Sequence, residues 1–438
     1  MEIRPQNGLY LTRLDFDKYS ESLTHLYHIL YPKKVFPEYL VKNLTFCVTE
    51  SCNLACTYCY ERHKSNRRMS FETGKSIIDH LLNGQIFRME STAAIVLEFI
   101  GGEPLLEIEL IDRLVEYFKR ESFRLRSPLF YNYRISITTN GILFQNEKVQ
   151  QFIKKNKEHL SITISIDGNQ ELHDRCRVFP DGRKSYSIVE NACKELLHIF
   201  PLSSTKLTLV PENILYLKDA IQNLHKLHYH AVYANCVFEN VWNESDPKRY
   251  YQKLIELADW IIENDIYKEM YLSLFDEIYL LPATPRVQKR MREVAFCGGN
   301  GTMTAFSVSG QRYPCLRYMQ HSLVYQKEIA IGDIVTPLYH TPDVLDWYQK
   351  LQSVTIESSA QGECKTCSLL HCCPTCIAWN FDYNGNPNQK TNCHCGVFKA
   401  QVAANYYYWK KLYRKLKLPY LQERNFPVQN YEVKNNDL

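Results

Sequence analysis

The chain has 438 residues, 45% of them hydrophobic, and a formal net charge of +4 at pH 7. This length and composition predict two or three folded domains and exclude a mainly disordered chain. Basic and acidic residues are interleaved, so no nucleic-acid partner is indicated, and no apolar run approaches the roughly 20 residues that span a membrane. The N-terminal residues contain no basic segment followed by an apolar one, so we expect a cytoplasmic protein.

Short β-rich runs alternate with helical stretches through the first half of the chain. The predicted strands occupy residues 44–50, 93–100, 134–140, 161–167, 206–211 and 231–238. Helices are predicted near residues 71–82 and 108–120, the second with apolar residues three and four positions apart. Six strand–helix units in a row predict an α/β fold over residues 44–245, a parallel sheet curled into a partial (β/α)6 barrel with its chemistry at the carboxyl strand ends.

The second half of the chain has a different character. We expect a helical bridge over residues 246–290, a cysteine-rich domain over residues 291–400, and a C-terminal helix and tail over residues 401–438. Two groups among the sixteen cysteines are closely spaced, which in a reducing compartment is typical of metal sites rather than of disulfides. Metal rather than a large apolar core is therefore expected to organise the cysteine-rich domain. Residues 1–43 carry no informative pattern.

The first cysteine group, CNLACTYCY, directly follows the first predicted strand. Cys52, Cys56 and Cys59 have the spacing Cys-x3-Cys-x2-Cys, and three thiolates leave one iron of a [4Fe–4S] cubane without a protein ligand. A zinc knuckle that lacks its fourth ligand is the competing interpretation. The motif resembles the signature of the radical S-adenosylmethionine (SAM) superfamily, in which the aromatic residue at the position of Tyr58 lies along the adenine.

The motif GGEP follows the second predicted strand. Gly101 and Gly102 lack Cβ atoms, which allows backbone carbonyls to approach an ammonium group closely, and Glu103 adds negative charge. In the superfamily that this chain resembles, the motif binds the methionine amine of SAM. Alone, GGEP would be an ordinary turn.

Three further motifs, TTNG, SIDG and HDRCR, stand at or just after the next strand ends. The resemblance implies that Ser165 and Asp167 lie near the ribose hydroxyls of SAM and that Asn140 lines the same cavity. Arg177 matches the arginine that pairs with the SAM carboxylate, a role that suits a planar guanidinium. Each residue could singly be a solvated loop residue, but their order along successive strand ends favours a cofactor site.

The second cysteine group has the order Cys297, Gly310-x4-Cys315, Cys364-x2-Cys367-x5-Cys373-x2-Cys376, Cys395. It resembles the SPASM domain, an extension of radical SAM enzymes that mature peptides and proteins and that holds two auxiliary [4Fe–4S] clusters. The resemblance implies that an inner cluster is bound by Cys297, Cys315 and Cys376. It implies that an outer cluster is bound by Cys364, Cys367, Cys373 and Cys395. A zinc ribbon is the competing interpretation.

This group departs from the SPASM pattern in two ways. Fully ligated relatives have another cysteine before the Gly-x4-Cys element, whereas residues 298–314 contain none, so one iron of the inner cluster is expected to stay open. Two spare cysteines, Cys372 and Cys393, could replace Cys373 and Cys395. The remaining cysteines are expected to be buried thiols, and they are Cys47, Cys176, Cys193 and Cys236.

Residues 44–410 are similar to maturases that form thioether links in peptides with repeated Cys-x3 units. The resemblance implies an oxidoreductase that joins a cysteine sulfur to a Cα or Cβ carbon of a ribosomally made precursor peptide. The implied cofactors are three [4Fe–4S] clusters, one of which binds SAM, and SAM itself. The implied partners are a cysteine-rich precursor peptide and an electron donor such as flavodoxin or ferredoxin.

Other activities remain open on the same residues. A sulfatase maturase, which oxidises cysteine or serine to formylglycine, shares the seven-cysteine order but is expected to ligate its auxiliary clusters fully. Carbon–carbon crosslinking and Cα-epimerising maturases are further relatives. A non-catalytic iron–sulfur electron carrier or a zinc scaffold would leave GGEP, SIDG and Arg177 without a purpose.

Overall fold

The computed structural model describes residues 40–276, 279, 289 and 291–417. The strands in this part of the chain are β1 (Val41–Thr49), β2 (Ala94–Gly101), β3 (Tyr133–Thr139), β4 (Leu160–Ile164), β5 (Ser204–Leu209), β6 (Ala231–Cys236), β7 (Tyr271–Leu272), β8 (Met303–Phe306), β9 (Gln311–Tyr313) and β10 (Gly332–Asp333). The helices are α1 (Phe71–Leu82), α2 (Ile108–Arg124), α3 (Glu147–Asn156), α4 (Gln170–Cys176), α5 (Tyr186–Ile199), α6 (Leu217–Lys226), α7 (Asp246–Glu263), α8 (Pro342–Gln352), α9 (Ile377–Asn384) and α10 (Cys395–Lys415). Among them, no helix combines the length and the apolar character that crossing a bilayer requires.

The six predicted strands are present, and neighbouring ones run parallel. Strands β1 to β4 lie side by side in chain order. Strands β5 and β6 form a second sheet with the short β7, also parallel. The two sheets meet at a parallel bridge between Ser165 and Lys206. The predicted α/β fold with parallel strands is therefore confirmed, and the structure adds a seam between β4 and β5.

The cysteine-rich region is built onto the outer edge of the first sheet. Strand β8 pairs in parallel with β1, and β9 and β10 continue antiparallel to give the order β10-β9-β8-β1-β2-β3-β4. Phe306, Tyr318 and Leu351 of this region are fully buried in the same apolar core as the barrel strands. The added strands therefore share the barrel's apolar core, which the expectation of a mainly metal-organised region did not include.

The C-terminal helix α10 fastens the cysteine-rich region to the barrel. It packs along α7, and its Asn405 and Trp409 side chains donate to the carbonyl oxygens of Leu274 and Phe275 at 2.9 and 3.0 Å. Both donors are buried, so each bond also satisfies a backbone carbonyl that would otherwise be desolvated without a partner. The helix begins at Cys395, which fixes this cysteine at a rigid element.

The interior of the half-barrel is polar. In β3, Ile135 and Ile137 are buried, whereas Ser136 and Thr138 on the opposite face are partly or fully exposed. The same alternation puts Lys206 of β5 on an exposed face between buried neighbours. Side chains of a strand alternate between its two faces, so the apolar face packs against the helices and the polar face lines the interior.

Helix α6 packs closely against the residues that follow β4, and Gly168 is required at the point of contact. Gly168 has a φ of +90°, and a Cβ atom there would lie 2.3 Å from the Cβ atom of Ala220 in α6. We expect Gly168→Ala to lower the free energy of unfolding by about 3 kcal/mol, because both the backbone conformation and the helix contact are violated. Gly182→Ala is the matched control, since Gly182 has a φ of +83° but open space around its Cβ position. It should cost about 1–2 kcal/mol. Equal losses in thermal unfolding followed by circular dichroism would contradict the contact argument.

Candidate functional site

The first cysteine group forms a half-buried loop after β1. Backbone N–H groups of Ala55 and Thr57 donate to the carbonyls of Val178 and Cys176 at 2.8 and 3.0 Å, so the loop is held by the segment that follows α4. The three thiols, Cys52, Cys56 and Cys59, are near enough to influence one another electrostatically. Burial raises the pKa of Cys52 to about 11.

The loop has the chemistry that an anionic iron–sulfur cluster requires. The Lys64 ammonium lies within electrostatic range of Cys52, Cys56 and Cys59, and Arg177 acts on Cys56. Over residues 40–276, 279, 289 and 291–417, no three His, Cys, Asp or Glu side chains converge tightly enough to hold a single metal ion. A cubane does not need such convergence, because each thiolate binds a different iron of the cluster.

The two glycines of GGEP allow β2 to end against the cysteine loop. A Cβ atom on Gly101 would lie 2.2 Å from the carbonyl oxygen of Thr49, and one on Gly102 would lie 2.4 Å from that of Ser51. The N–H groups of Gly102 and Glu103 donate to the same two carbonyls at 3.1 and 2.9 Å. The glycines are thus required by a close approach between protein backbones, whatever ligand they also contact.

Glu103 links the ends of β2 and β3. Its side chain is 1% exposed and accepts hydrogen bonds from the Leu105 N–H at 3.0 Å, the Thr139 hydroxyl at 2.6 Å and the Asn140 N–H at 2.8 Å. Burial raises the pKa of this carboxyl, and the donated hydrogen bonds oppose the shift. The Asn140 amide in turn donates to the Asn53 Oδ1 atom at 2.7 Å, so the third strand end also contacts the cysteine loop.

Asp167 and Arg177 form a buried ion pair beside the loop. The Arg177 Nε atom donates to Asp167 Oδ2 at 2.8 Å, and the Tyr58 hydroxyl donates to the same oxygen. The Arg177 guanidinium also lies over the Tyr58 ring, with Cζ 5.4 Å from the ring centre. The other carboxylate oxygen, Oδ1, is buried and has no hydrogen-bond partner in the described part of the chain. A buried acceptor without a partner is costly, so this oxygen is suited to a donor from a ligand, such as a hydroxyl group.

His173 fixes the position of this pair. Its Nδ1 accepts from the Asp167 N–H at 3.3 Å, and its Nε2 lies 3.0 Å from the Ser185 hydroxyl, which donates to the Arg177 carbonyl at 2.5 Å. Burial lowers the pKa of His173 to about 4, so the ring is neutral at pH 7 and Nδ1 can accept. Sequence reasoning selected only Arg177 from HDRCR, and the histidine four positions before it was the available signal.

The inner cysteines come together at the start of the added strands. Cys297 precedes β8 and Cys315 follows β9, and because these strands are antiparallel both cysteines lie at the same end. Cys315 is influenced by both Cys297 and Cys376, and its burial raises its pKa, whereas Cys297 is exposed to solvent. Arg317 lies beside them, bonded to Glu239 at 2.5 Å. All sixteen cysteines fall within the described residues, and the cysteines that most affect the pKa values of Cys297 and Cys315 belong to this group.

The outer cysteines share one cavity. Its lining includes Cys364, Cys367, Cys373, Cys395, Lys390, Lys399 and His394. Cys372 is instead buried in a small apolar cluster, where its thiol donates to the Leu369 carbonyl at 3.4 Å. Cys393 lies beside Trp379 and Tyr383. Neither spare cysteine lines the cavity, although Cys372 lies close to Cys367 and Cys373.

The remaining predicted residues make fewer contacts with the rest of the candidate site. Ser165 is nearly buried, its N–H donates to the Thr139 carbonyl at 2.9 Å, and its backbone pairs with Lys206. Of the cysteines expected to be buried thiols, Cys47, Cys176 and Cys193 are buried, whereas Cys236 is half-buried at the end of β6.

Comparison with known sequences gives a consistent family. Residues 46–224 match the sequence model of the radical SAM superfamily. A cysteine-type anaerobic sulfatase-maturating enzyme of Clostridium perfringens is 27% identical over 80% of this chain and 92% of its own length. The subtilosin biosynthesis protein AlbA of Bacillus subtilis is 24% identical over 68% of this chain and 58% of its own length. An uncharacterized protein of Methanocaldococcus jannaschii is 37% identical over 33% of this chain, and the chain spans 45% of its length.

Comparison with solved structures supports the fold. The structure of anSMEcpe with bound AdoMet superposes with a TM-score of 0.65 at 20% identity, covering 86% of this chain and 100% of that one. Streptococcus suis SuiB bound to its precursor peptide SuiA gives a TM-score of 0.53 at 12% identity, covering 90% and 84%. Residues 46–224 are therefore homologous to radical SAM domains, including those of anaerobic sulfatase maturases and AlbA, and the chain has an α/β fold like that of anSMEcpe and SuiB.

Proposed function

We propose that this chain is a radical SAM peptide maturase that joins a cysteine sulfur to a Cα or Cβ carbon of a ribosomally made precursor peptide. The observation that carries this proposal is the inner group, in which Cys297, Cys315 and Cys376 influence one another and residues 298–314 supply no further cysteine. Three thiolates leave one iron of a cubane open. An open metal site can bind a thiol and favours its deprotonated form.

The strand ends of β1 to β4 are proposed to hold SAM. Asp167 Oδ1, which lacks a partner among the described residues, would accept a ribose hydroxyl. Apart from its bond through Nε to Asp167, the Arg177 guanidinium has no hydrogen bond in the described part of the chain, so its outer nitrogens can pair with the SAM carboxylate. Tyr58 would lie along the adenine. Gly101, Gly102, Glu103, Asn140 and Ser165 would complete this side, with the methionine amine near GGEP. When bound, the cluster and SAM together supply a carbon-centred radical that can remove a hydrogen atom from an unactivated carbon.

Three cysteine groups are proposed to bind three [4Fe–4S] clusters. The first group is Cys52, Cys56 and Cys59, the inner group is Cys297, Cys315 and Cys376, and the outer group is Cys364, Cys367, Cys373 and Cys395. The outer cavity also contains the Lys390 and Lys399 side chains, which offset the negative charge of thiolate-bound iron. A zinc ribbon would not need so many cysteines around separate centres.

The proposed partners are a cysteine-rich precursor peptide and an electron donor such as flavodoxin or ferredoxin. A precursor peptide is also the partner named for the structural neighbour SuiB. Residues 1–39 of the N-terminal segment lie outside the described residues.

Formylglycine formation on a sulfatase cysteine is the second candidate. The coverage of the C. perfringens enzyme, 92% of its length, favours it. Both reactions act on a cysteine thiol, and they differ in the fate of the sulfur. A thioether keeps the sulfur and removes two hydrogen atoms, whereas formylglycine replaces the sulfur with oxygen.

The product of the reaction tests the proposal. The protein, purified without oxygen and reconstituted with iron and sulfide, would be incubated with SAM, dithionite and a Cys-x3-repeat peptide. After reduction of disulfides, we expect mass spectrometry to find a loss of two hydrogen atoms per link, thiols that no longer alkylate, and formation of 5′-deoxyadenosine. A peptide or sulfatase fragment that loses sulfur and gains oxygen would replace this function with the second candidate.

Two cysteine variants test whether the first cysteine group holds the SAM-binding cluster. Cys52→Ala should abolish both 5′-deoxyadenosine and peptide product, because the first cluster would lose a ligand. Cys193→Ala, which removes a buried thiol of α5 far from the three groups in the chain, should retain both. Product formation by Cys52→Ala at the wild-type rate would contradict the assignment of this loop.

Iron content tests the outer group. We expect Cys373→Ala and Cys395→Ala to lose one cluster's worth of iron, because both line the outer cavity. Cys372→Ala and Cys393→Ala are the matched controls and should keep full iron content, since neither lines it. Iron and sulfide would be quantified together with the visible absorption of the reconstituted variants. The reverse pattern would exchange the ligand assignment within each pair.

A further inference from the structure

A lysine that sequence reasoning did not select faces the interior of the half-barrel. Lys206 lies on β5 between Thr205 and Leu207, which are fully buried, and its own side chain is exposed on the opposite face of the strand. Its backbone pairs with that of Ser165, just beyond the carboxyl end of β4. Lys206 therefore stands at the seam between the two sheets, next to a residue proposed for the SAM site.

The charged groups that face Lys206 come from three other parts of the chain. They are Glu98 on β2, Arg177 after α4 and Arg317 after β9. Both guanidinium groups already pair with carboxylates, and Glu98 accepts a hydrogen bond from Thr45 at 2.6 Å. Within residues 40–276, 279, 289 and 291–417, the Lys206 ammonium itself makes no hydrogen bond or ion pair.

This environment disfavours the protonated form of the lysine. Burial lowers the pKa of Lys206, the charges of Arg177 and Arg317 lower it further, and Glu98 opposes the shift. A lysine on the outer surface would not be desolvated in this way, so its exposed area belongs to an interior space. Amines in such surroundings are suited to accept protons.

Lys206 is an electrostatic neighbour of one arginine from each proposed chemical centre. Arg177, on the SAM side, and Arg317, which acts on Cys315 and Cys376 of the inner group, are both electrostatic neighbours of this lysine. One arginine therefore connects Lys206 electrostatically to each proposed centre, and the polar interior face of β5 places the amine on the side of the sheet where the substrate is proposed to bind.

We propose that Lys206 is the base that takes the proton from the peptide cysteine thiol, an inference that rests on the proposed function insofar as the substrate is a cysteine. The thiol proton moves to the Lys206 Nζ atom, while the acceptor carbon would give its hydrogen atom to the radical that bound SAM supplies. Formation of the carbon–sulfur bond would release one electron, which an oxidised iron–sulfur cluster would accept. The peptide thus loses two hydrogen atoms, one as an atom and one as a proton plus an electron.

Substitutions that separate basicity from charge test this role. Lys206→Arg keeps the positive charge but cannot act as a base near neutral pH, and Lys206→Ala removes the side chain. In the reconstituted full-length protein, we expect both to slow peptide modification about 100-fold or more while 5′-deoxyadenosine still forms. Lys226→Arg, at an exposed lysine at the end of α6, should behave as the wild type.

The pH dependence identifies the proton acceptor. The wild-type rate of peptide modification should rise with pH as Lys206 loses its proton. The rate of Lys206→Arg should not show this rise. Small primary amines should restore modification by Lys206→Ala, more effectively as the amine becomes more basic. A Lys206→Arg variant with the wild-type rate and pH limb would overturn the inference and leave Lys206 as a fixed cation.

A measurement without turnover gives an independent answer. Competitive labelling with acetic anhydride across pH would report the titration midpoint of Lys206 against that of Lys226. We expect the Lys206 midpoint to be the lower one, and equal midpoints would overturn the inference. The identity of the wild-type product decides separately between thioether and formylglycine, and since formylglycine formation also consumes a thiol proton, the Lys206 comparison can be made with either product.

Discussion

The buried carboxylate of Glu103 holds together the strand ends on which the candidate site depends. Its oxygens accept from Leu105, Thr139 and Asn140, and its own N–H donates to Ser51 at the start of the cysteine loop. Hydrogen bonds to a charged group contribute about 1.5–3 kcal/mol each, and a buried carboxylate without them would be strongly destabilising. The site can therefore form only if β1, β2 and β3 end at the same level, and the parallel register of these strands provides that condition.

The long elements of the fold were predictable because their signals are local. Helix α1 was predicted over the residues that it occupies, Phe71–Leu82, and the Ser70 hydroxyl caps it by accepting from the Thr73 N–H at 3.0 Å. Strands β8, β9 and β10 were missed, since segments of four, three and two residues are too short to show alternation. Their pairing with β1 is decided by tertiary contact, and so is the seam between β4 and β5.

The candidate site was predictable in composition but not in its internal bonds. The motif residues Tyr58, Asp167 and Arg177 do meet, but no sequence pattern predicts that they bond to one another and leave one Asp167 oxygen without a partner among the described residues. The structural reason for Gly102 was likewise not predictable, because the close approach of its backbone to that of Ser51 is visible only in three dimensions. Lys206 is not predictable from the sequence for a related reason, because a single lysine in a strand is ordinarily a solvated residue.

The polar interior of the half-barrel explains how one scaffold can serve two related reactions. The SAM motifs stand at the carboxyl ends of β1 to β4, whereas β8 and β9 fix Cys297 and Cys315 relative to the same sheet. A shared sheet holds both centres rigidly, so a peptide thiol between them has a defined orientation rather than a choice of many. Under the proposed function, loss of a hydrogen atom and loss of a proton would occur at separate groups of this interior. The fate of the sulfur would then depend on which carbon of the peptide lies nearest the radical.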